Sequence, residues 1–125
     1  MKALILNFVK PLECRDALGM ESRAIIDAQI TASSEEDVVQ LHVASHARLN
    51  FQEIPGKAAG AWAANKIDVN PWLQVDLGAR YTKVTRVATQ GRNSLNYPQW
   101  VTKYKLQYRD INEEFQYYRD RKSVV

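Results

Sequence analysis

Apolar and polar residues alternate along several stretches of the chain after residue 28, the pattern of β-strands with one buried face. The alternation is clearest at 100–108, where Trp100, Thr102 and Tyr104 share one face and lysine and glutamine side chains share the other. The predicted strands are 28–33, 72–77, 82–90, 100–108 and 115–118. Helical periodicity is weak throughout. Several short strands joined by turns predict an all-β sandwich or barrel.

Composition adds limits to this picture. The chain has 125 residues, of which 46% are hydrophobic and 25% charged, as expected for one globular domain. Its apolar runs fall well short of the roughly 20 residues of a membrane-spanning helix, so no transmembrane segment is predicted. The formal net charge is +3, which is too small to argue for nucleic acid as a partner.

Motifs for catalysis are not found in the sequence. It has no glycine-rich phosphate loop, no Gly-x-Ser-x-Gly elbow and no His-Glu-x-x-His motif. His42 and His46 are four residues apart, but no third metal ligand lies nearby, so we interpret them as loop or surface histidines. The adjacent acids at 35–37 and 113–114 lie in turn-like segments, where carboxylates are usually solvated. We therefore expect no enzyme activity, no metal and no cofactor.

Three segments between the predicted strands are candidate ligand-binding loops, at 35–46, 65–71 and 92–99. The first has apolar residues beside three acids, and the third combines an arginine with amides and an aromatic ring. Planar donors and a ring are suited to sugar hydroxyls or polar head groups. Alternatively, Leu95 and Tyr97 pack beneath their own loop and the amides satisfy turn backbone. The candidate ligand-binding residues are Val38, Val39, Leu41, His42, Asn65, Lys66, Ile67, Arg92, Asn93, Leu95, Asn96 and Tyr97.

Blocks of sequence across the chain resemble one known family. They are CRDALGMES at 14–22, IDAQITASS at 26–34, ARLN at 47–50, AW at 61–62, WLQVDLG at 72–78, VATQGR at 87–92, WVTKYKLQY at 100–108 and FQYY at 115–118. Their order and spacing are similar to those of the discoidin domain, also called the coagulation factor V/VIII type C domain. The resemblance covers 13–120, with 1–12 as a leader of uncertain status and 121–125 as a tail.

The resemblance implies a distorted jelly-roll β-barrel of the galactose-binding-like type, whose loops at one end form the ligand site. It implies a non-catalytic, extracellular adhesion or recognition module that binds phospholipid head groups, cell-surface glycans, collagen or receptor proteins. The three candidate loops correspond in position to the binding loops of the family. The resemblance also implies structural roles for Cys14, Trp62, Trp72, Asp76 and Trp100.

The sequence departs from the family pattern at several positions. The closing strands and the final cysteine of the family are absent, so the barrel is expected to be incomplete and Cys14 to lack its bridge partner. Missing strands would leave sheet edges unpaired. Arg23 stands where a glycine is common, and 109–114 replaces the usual glycine-containing hairpin.

Three ligand classes stay open at the level of sequence. Membrane docking would use Val38, Val39 and Leu41, although Glu35, Glu36 and Asp37 oppose an anionic surface. The bulky aromatic side chains typical of lipid-binding relatives are also missing from this first loop. Glycan recognition would use the polar residues of the second and third loops, and it fits their composition slightly better. A matrix or receptor protein is the third alternative, in which the domain belongs to a larger multidomain protein.

Overall fold

The computed structural model describes residues 16–36, 41–78 and 82–119. Within these ranges the regular structure consists of four short strands and two single turns of 3₁₀-helix, at Asp27–Gln29 and Ala44–Ala47. The strands are β1 Ile30–Ala32, β2 Leu73–Val75, β3 Gln107–Tyr108 and β4 Gln116–Tyr117. The prediction of an all-β fold is confirmed. In the described ranges, the helical segments are too short and too polar to span a bilayer.

The strands form two separate antiparallel pairs, β1 with β2 and β3 with β4. In the first pair Ile30 lies opposite Val75 and Ala32 lies opposite Leu73. Ile30 and Val75 are both buried while Thr31 is exposed, as the alternation of side chains along a strand requires. The sequence pattern therefore identified the buried face of this pair correctly.

The core of the described residues lies against the β1–β2 pair and is small. Its buried members are Ile25, Ile30, Ala44 and Val75. Five half-buried side chains pack around them, namely Met20, Ala32, Trp62, Leu73 and Leu77. The core thus joins the segment before β1, the second 3₁₀ turn and β2, and it supports the segment from which the candidate loops leave.

The predicted lengths of the strands were wrong. Residues 84–106 form no strand, and of the predicted strand 100–108 only Gln107 and Tyr108 pair with a neighbour. Trp100 and Tyr104 are 69% and 59% exposed. Alternation marks residues that fit a sheet, but a strand forms only where a partner strand supplies the ladder of hydrogen bonds.

A buried arginine ties the segment before β1 to the second 3₁₀ turn. Arg48 is 4% exposed, and its guanidinium donates to Oδ1 of Asp27 and to the carbonyl oxygen of Met20, the latter at 2.9 Å. The hydrogen bond from Arg48 is the main reason why the pKa of Asp27 is lowered. A buried guanidinium requires such partners because an unpaired charge in the interior is costly.

Two departures from the family pattern lie where the backbone is left-handed. Arg23, at a position where glycine is common, has φ = 67°, and Asn112, in the hairpin that lacks the usual glycine, has φ = 66°. Glycine adopts this conformation without strain, asparagine tolerates it, and other residues pay a steric cost. The arginine is therefore the strained substitution of the two.

Candidate functional site

A central strip at 59–63 connects the three candidate loops. The first loop is attached to it through Glu36, Leu41 and His42. The Ala59 N–H donates to the carbonyl oxygen of Leu41 at 2.8 Å, and the Glu36 N–H donates to that of Ala63 at 2.9 Å. Nδ1 of His42 lies 3.2 Å from the carbonyl oxygen of Ala61.

The second loop leaves the end of this strip and folds back onto the residues after β1. The Asn65 N–H donates to Oγ of Ser34 at 3.0 Å, and Nζ of Lys66 lies 3.6 Å from a carboxylate oxygen of Glu36. The side chain of Asp68 accepts hydrogen bonds from both serine hydroxyls, of Ser33 and Ser34, at 2.6 Å each. These contacts hold the first and second loops side by side.

The third loop is attached to the same strip from the other side. The Asn93 N–H donates to the carbonyl oxygen of Gly60 at 3.1 Å, and its side-chain amide donates to that of Phe51 at 3.3 Å. Gly60 permits this approach because it has no side chain. A methyl group at its position would lie 2.8 Å from the carbonyl carbon of Asn93, which is too close for two unbonded atoms. The structure thus brings the three predicted loops together on one strip.

Arg92 is oriented by its own surroundings. Its Nη1 donates to Gln99 at 3.0 Å, its Nη2 lies 3.3 Å from a carboxylate oxygen of Glu53, and its guanidinium lies 4.7 Å from the ring centre of Tyr97. The Arg92 side chain is only 12% exposed. Of its donors, Nε is buried and has no acceptor among the described residues. Two of the three guanidinium nitrogens predicted for a sugar or head group are therefore engaged within the protein.

The tips of the second and third loops carry apolar side chains that contact little of the protein. Ile67 is 85% exposed, Val69 is 98% exposed and Leu95 is fully exposed. Leu95 therefore does not pack beneath its own loop, as one interpretation of the sequence expected. Tyr97 is half exposed and Asn96 is exposed beside it. Sequence reasoning missed Val69, although an apolar residue between Asp68 and Asn70 in a polar loop was a usable signal.

Other predicted site residues take supporting positions or lie outside the described ranges. Leu41 and His42 are half-buried at the base of the first loop, and Nδ1 of His46 lies 2.8 Å from the carbonyl oxygen of Leu41. Val38 and Val39, the predicted apolar tip of that loop, lie outside the described residues, as does Cys14. No cluster of three metal-binding side chains occurs in the part of the chain that is described.

The four other residues with predicted structural roles differ in burial. Trp62 is half-buried and its indole N–H donates to the carbonyl oxygen of Ser34 at 3.0 Å. Asp76 ends β2 by accepting a hydrogen bond from the Gly78 N–H at 2.9 Å. Trp72 and Trp100 are 48% and 69% exposed, so neither belongs to the core of the described residues.

These features define a small all-β domain that presents a group of loops at one place, with apolar tips beside a polar base. The comparisons with known proteins identify the family. The model of the F5/8 type C domain matches residues 29–124, and the chain belongs to this family of discoidin domains. The resemblance seen in the sequence is confirmed.

The relatives are much longer proteins. Coagulation factor V of Sus scrofa is 40% identical over 114 residues, which cover 90% of this chain and 5% of the relative. EGF-like repeat and discoidin I-like domain-containing protein 3 of Homo sapiens is 40% identical over 113 residues, 87% of this chain and 22% of the relative. Lactadherin of Rattus norvegicus is 34% identical over 108 residues, 86% of this chain and 25% of the relative. No solved structure matches this chain.

Membership of this family settles two expectations. The match to the F5/8 type C domain confirms the prediction that the chain is not an enzyme. The predicted extracellular location is confirmed as well. The ligand has to be argued from the loops.

Proposed function

We propose that this domain is a recognition module that docks reversibly on phospholipid membranes through the apolar tips of its second and third loops. The observation that carries the proposal is the exposure of Ile67, Val69 and Leu95 on loops that leave the same strip. Gly60 and Asn65, which anchor the two loops, are five residues apart, so their attachment points lie within about 18 Å. We propose that both tips face the same membrane surface. We further propose that the two strand pairs belong to the distorted jelly-roll barrel of the family.

The apolar area accounts for weak binding. Full burial of an isoleucine, valine or leucine side chain contributes about 1.5–3 kcal/mol, so three side chains contribute about 5–9 kcal/mol before costs. Association and ordering of the loops cost an amount of similar size, about 4–15 kcal/mol. The expected affinity is low, and further binding domains in the same protein would raise it through effective concentration.

Both basic residues of the loops, Lys66 and Arg92, lie beside acids, which leaves apolar burial as the main driving force. Lys66 lies beside Glu36, Arg92 lies beside Glu53, and the carboxylate of Asp68 is turned toward two serine hydroxyls. The three loops contain four acids and two basic residues, a net charge of −2, so they gain nothing from anionic lipid, whose surface attracts only excess basic residues. The lipid bilayer, and not one head group, is therefore the proposed partner.

Engagement of the polar residues supports lipid over glycan. A sugar site needs free planar donors beside an accessible ring. Here the guanidinium of Arg92 is held by Glu53, Gln99 and Tyr97, and the amide of Asn93 is bonded to the backbone. These contacts stabilise the third loop from within. The apolar tips, by contrast, are exposed and free to contact a membrane.

The proposal is tested by measuring binding to phosphatidylcholine vesicles with and without phosphatidylserine. The variant Ile67→Ser/Val69→Ser is expected to lower the affinity at least tenfold, which corresponds to about 1.4 kcal/mol. Leu95→Ser is expected to act in the same direction. The control is Ile111→Ser, because Ile111 is 54% exposed on the hairpin between β3 and β4 and lies outside the three loops.

Equal vesicle binding by the loop variants and the wild type would contradict the proposal. A glycan array probed with the wild type and with Arg92→Ala and Tyr97→Ala covers the other ligand class. Glycan binding that is abolished by these changes, with no vesicle binding, would replace lipid by sugar as the ligand.

A further inference from the structure

Asp68 occupies the centre of the second loop, between the two exposed residues Ile67 and Val69. Its side chain points toward the protein while its neighbours point outward. One carboxylate oxygen accepts hydrogen bonds from the hydroxyls of Ser33 and Ser34 at 2.6 Å each, and the other accepts from the Asn70 N–H at 3.1 Å. Hydrogen bonds to an ionised carboxylate are short and stronger than neutral ones.

The two serines extend this contact to both ends of the loop. Oγ of Ser34 accepts a hydrogen bond from the Asn65 N–H at 3.0 Å, and Oγ of Ser33 accepts one from the Trp72 N–H at 2.9 Å. Each hydroxyl donates its proton to Asp68 and accepts from the backbone at one end of the loop. We call the three side chains of Ser33, Ser34 and Asp68 the loop clamp.

We propose that the loop clamp is the positioning device of the binding site: Asp68 fixes the second loop in the conformation that presents Ile67 and Val69 together. This inference rests on the proposed function for its role in binding, but the clamp itself acts on the loop with or without a ligand. Without Asp68 the hydroxyls lose their common acceptor, and the middle of the loop loses its attachment to the residues after β1.

The surroundings of Asp68 leave the serines as its main partners. The hydrogen bond from Ser33, followed by that from Ser34, lowers the pKa of Asp68, and burial opposes the change. Of the nearby charged groups, Lys66 lies beside Glu36 on the adjacent loop, and Glu35 accepts a hydrogen bond from the Ala44 N–H. The clamp is therefore an ionised carboxylate held by hydroxyls and amides.

The direction in which Asp68→Ala changes vesicle affinity distinguishes a positioning role of Asp68 from an effect of its charge. Asp68→Ala removes a negative charge, which by electrostatics alone would strengthen binding to vesicles that contain phosphatidylserine. The clamp predicts the opposite: an affinity at least about threefold lower, since apparent affinity falls with the fraction of molecules in the binding-competent conformation. The matched control is Asp110→Ala, which removes the same charge beside exposed Ile111 in the β3–β4 hairpin and is expected not to weaken binding.

A double-mutant cycle tests whether Asp68 acts through its neighbours. In the Ile67→Ser/Val69→Ser background, Asp68→Ala is expected to have no further effect on vesicle affinity, because the second loop then has no apolar tip left to position. Asp68→Asn keeps one carbonyl acceptor and is expected to restore part of the affinity. Additive losses in the cycle, or stronger vesicle binding by Asp68→Ala, would overturn the inference.

Amide hydrogen exchange without ligand distinguishes failure of the clamp from failure of the proposed function. Exchange at Asn65, Asn70 and Trp72 is expected to accelerate in Asp68→Ala, while buried amides of β1 and β2 keep their protection. Unchanged exchange at the three amides would refute the clamp whatever the ligand is. Faster exchange in Asp68→Ala, together with unaltered vesicle binding by Ile67→Ser/Val69→Ser, would support the clamp and reject membrane docking. If Asp68→Ala fails to fold, the same exchange measurement on Asp68→Asn decides the question.

Discussion

Gly60 is the residue on which the arrangement of the loops depends most directly. A methyl group at this position would lie 2.8 Å from the carbonyl carbon and 3.1 Å from the Cα of Asn93, and closer still to its carbonyl oxygen. Favourable contacts between such atoms lie near 3.5–4.0 Å. In Gly60→Ala the third loop must therefore retreat from the strip by roughly 1 Å, because both partners are backbone and neither is able to rotate away.

The cost follows from three contributions. Overpacking of this kind destabilises a protein by about 1–3 kcal/mol. Loss of the hydrogen bond from the Asn93 N–H to Gly60 adds about 0.5–1.5 kcal/mol. The lower entropy of the unfolded alanine chain offsets about 0.4–1 kcal/mol. We expect the free energy of unfolding to fall by about 0.5–4 kcal/mol. The melting temperature should fall by about 3–5 °C for each kcal/mol in a chain of this length.

Urea denaturation followed by tryptophan fluorescence measures the stability, and vesicle binding measures the position of the loop. Gly56→Ala is the matched control: Gly56 has φ = 71° and no atom within 4 Å of an added methyl group, so this change strains the backbone and leaves the loops in place. Both variants are expected to be destabilised, but only Gly60→Ala is expected to bind vesicles more weakly. A Gly60→Ala protein as stable as the wild type, or one that binds as well as Gly56→Ala, would refute the packing argument.

Three other predictions concern strain, charge pairing and salt. Arg23→Gly is expected to raise the free energy of unfolding, measured by urea denaturation, by about 0.5–1 kcal/mol, since relief of the left-handed strain exceeds the entropy cost of glycine. The control Arg23→Lys keeps the strain and the charge and should leave the free energy of unfolding unchanged. Asp27→Ala is expected to cost about 1.5–3 kcal/mol at neutral pH by removing the charge-assisted bonds of Arg48. The pKa of Asp27 is lowered in the folded protein. The difference in the free energy of unfolding between the wild type and Asp27→Ala is therefore present above the ordinary pKa near 3.8 and shrinks as the pH falls below it. A difference that stays constant down to acid pH would contradict the pairing of Asp27 with Arg48. Raising salt from about 0.1 M to 1 M should change vesicle affinity less than about threefold, although it shortens the Debye length from roughly 10 Å to 3 Å, and a steep loss of binding would indicate electrostatic docking.

Part of the fold was predictable because its causes are local. Alternation identified the buried face of β1, and the polar segments between strands identified the three loops that meet at the strip. The left-handed backbone at Arg23 agrees with the glycine expected there from the family pattern. In each case a short stretch of sequence contains the physical reason for the structure.

The remainder depends on residues that are distant in the chain. Strand length is set by the available partner, so alternation over 100–108 did not show that only Gln107 and Tyr108 would pair. The loop clamp joins Asp68 to Ser33 and Ser34, which precede it by 35 and 34 positions in the chain. No local sequence pattern marks such a contact. Arginine and amides in one loop were compatible with a sugar site, and only the positions of Glu53 and Gln99 showed that the guanidinium is engaged.

The central claim is that apolar loop tips bind this domain to membranes. The most direct measurement compares the affinity of Ile67→Ser/Val69→Ser and Ile111→Ser for phosphatidylcholine vesicles that contain phosphatidylserine. We predict at least a tenfold loss for the loop variant, about 1.4 kcal/mol, and wild-type affinity for the hairpin variant. Equal affinity of both variants and the wild type would contradict the assignment of these loops as the membrane-binding site.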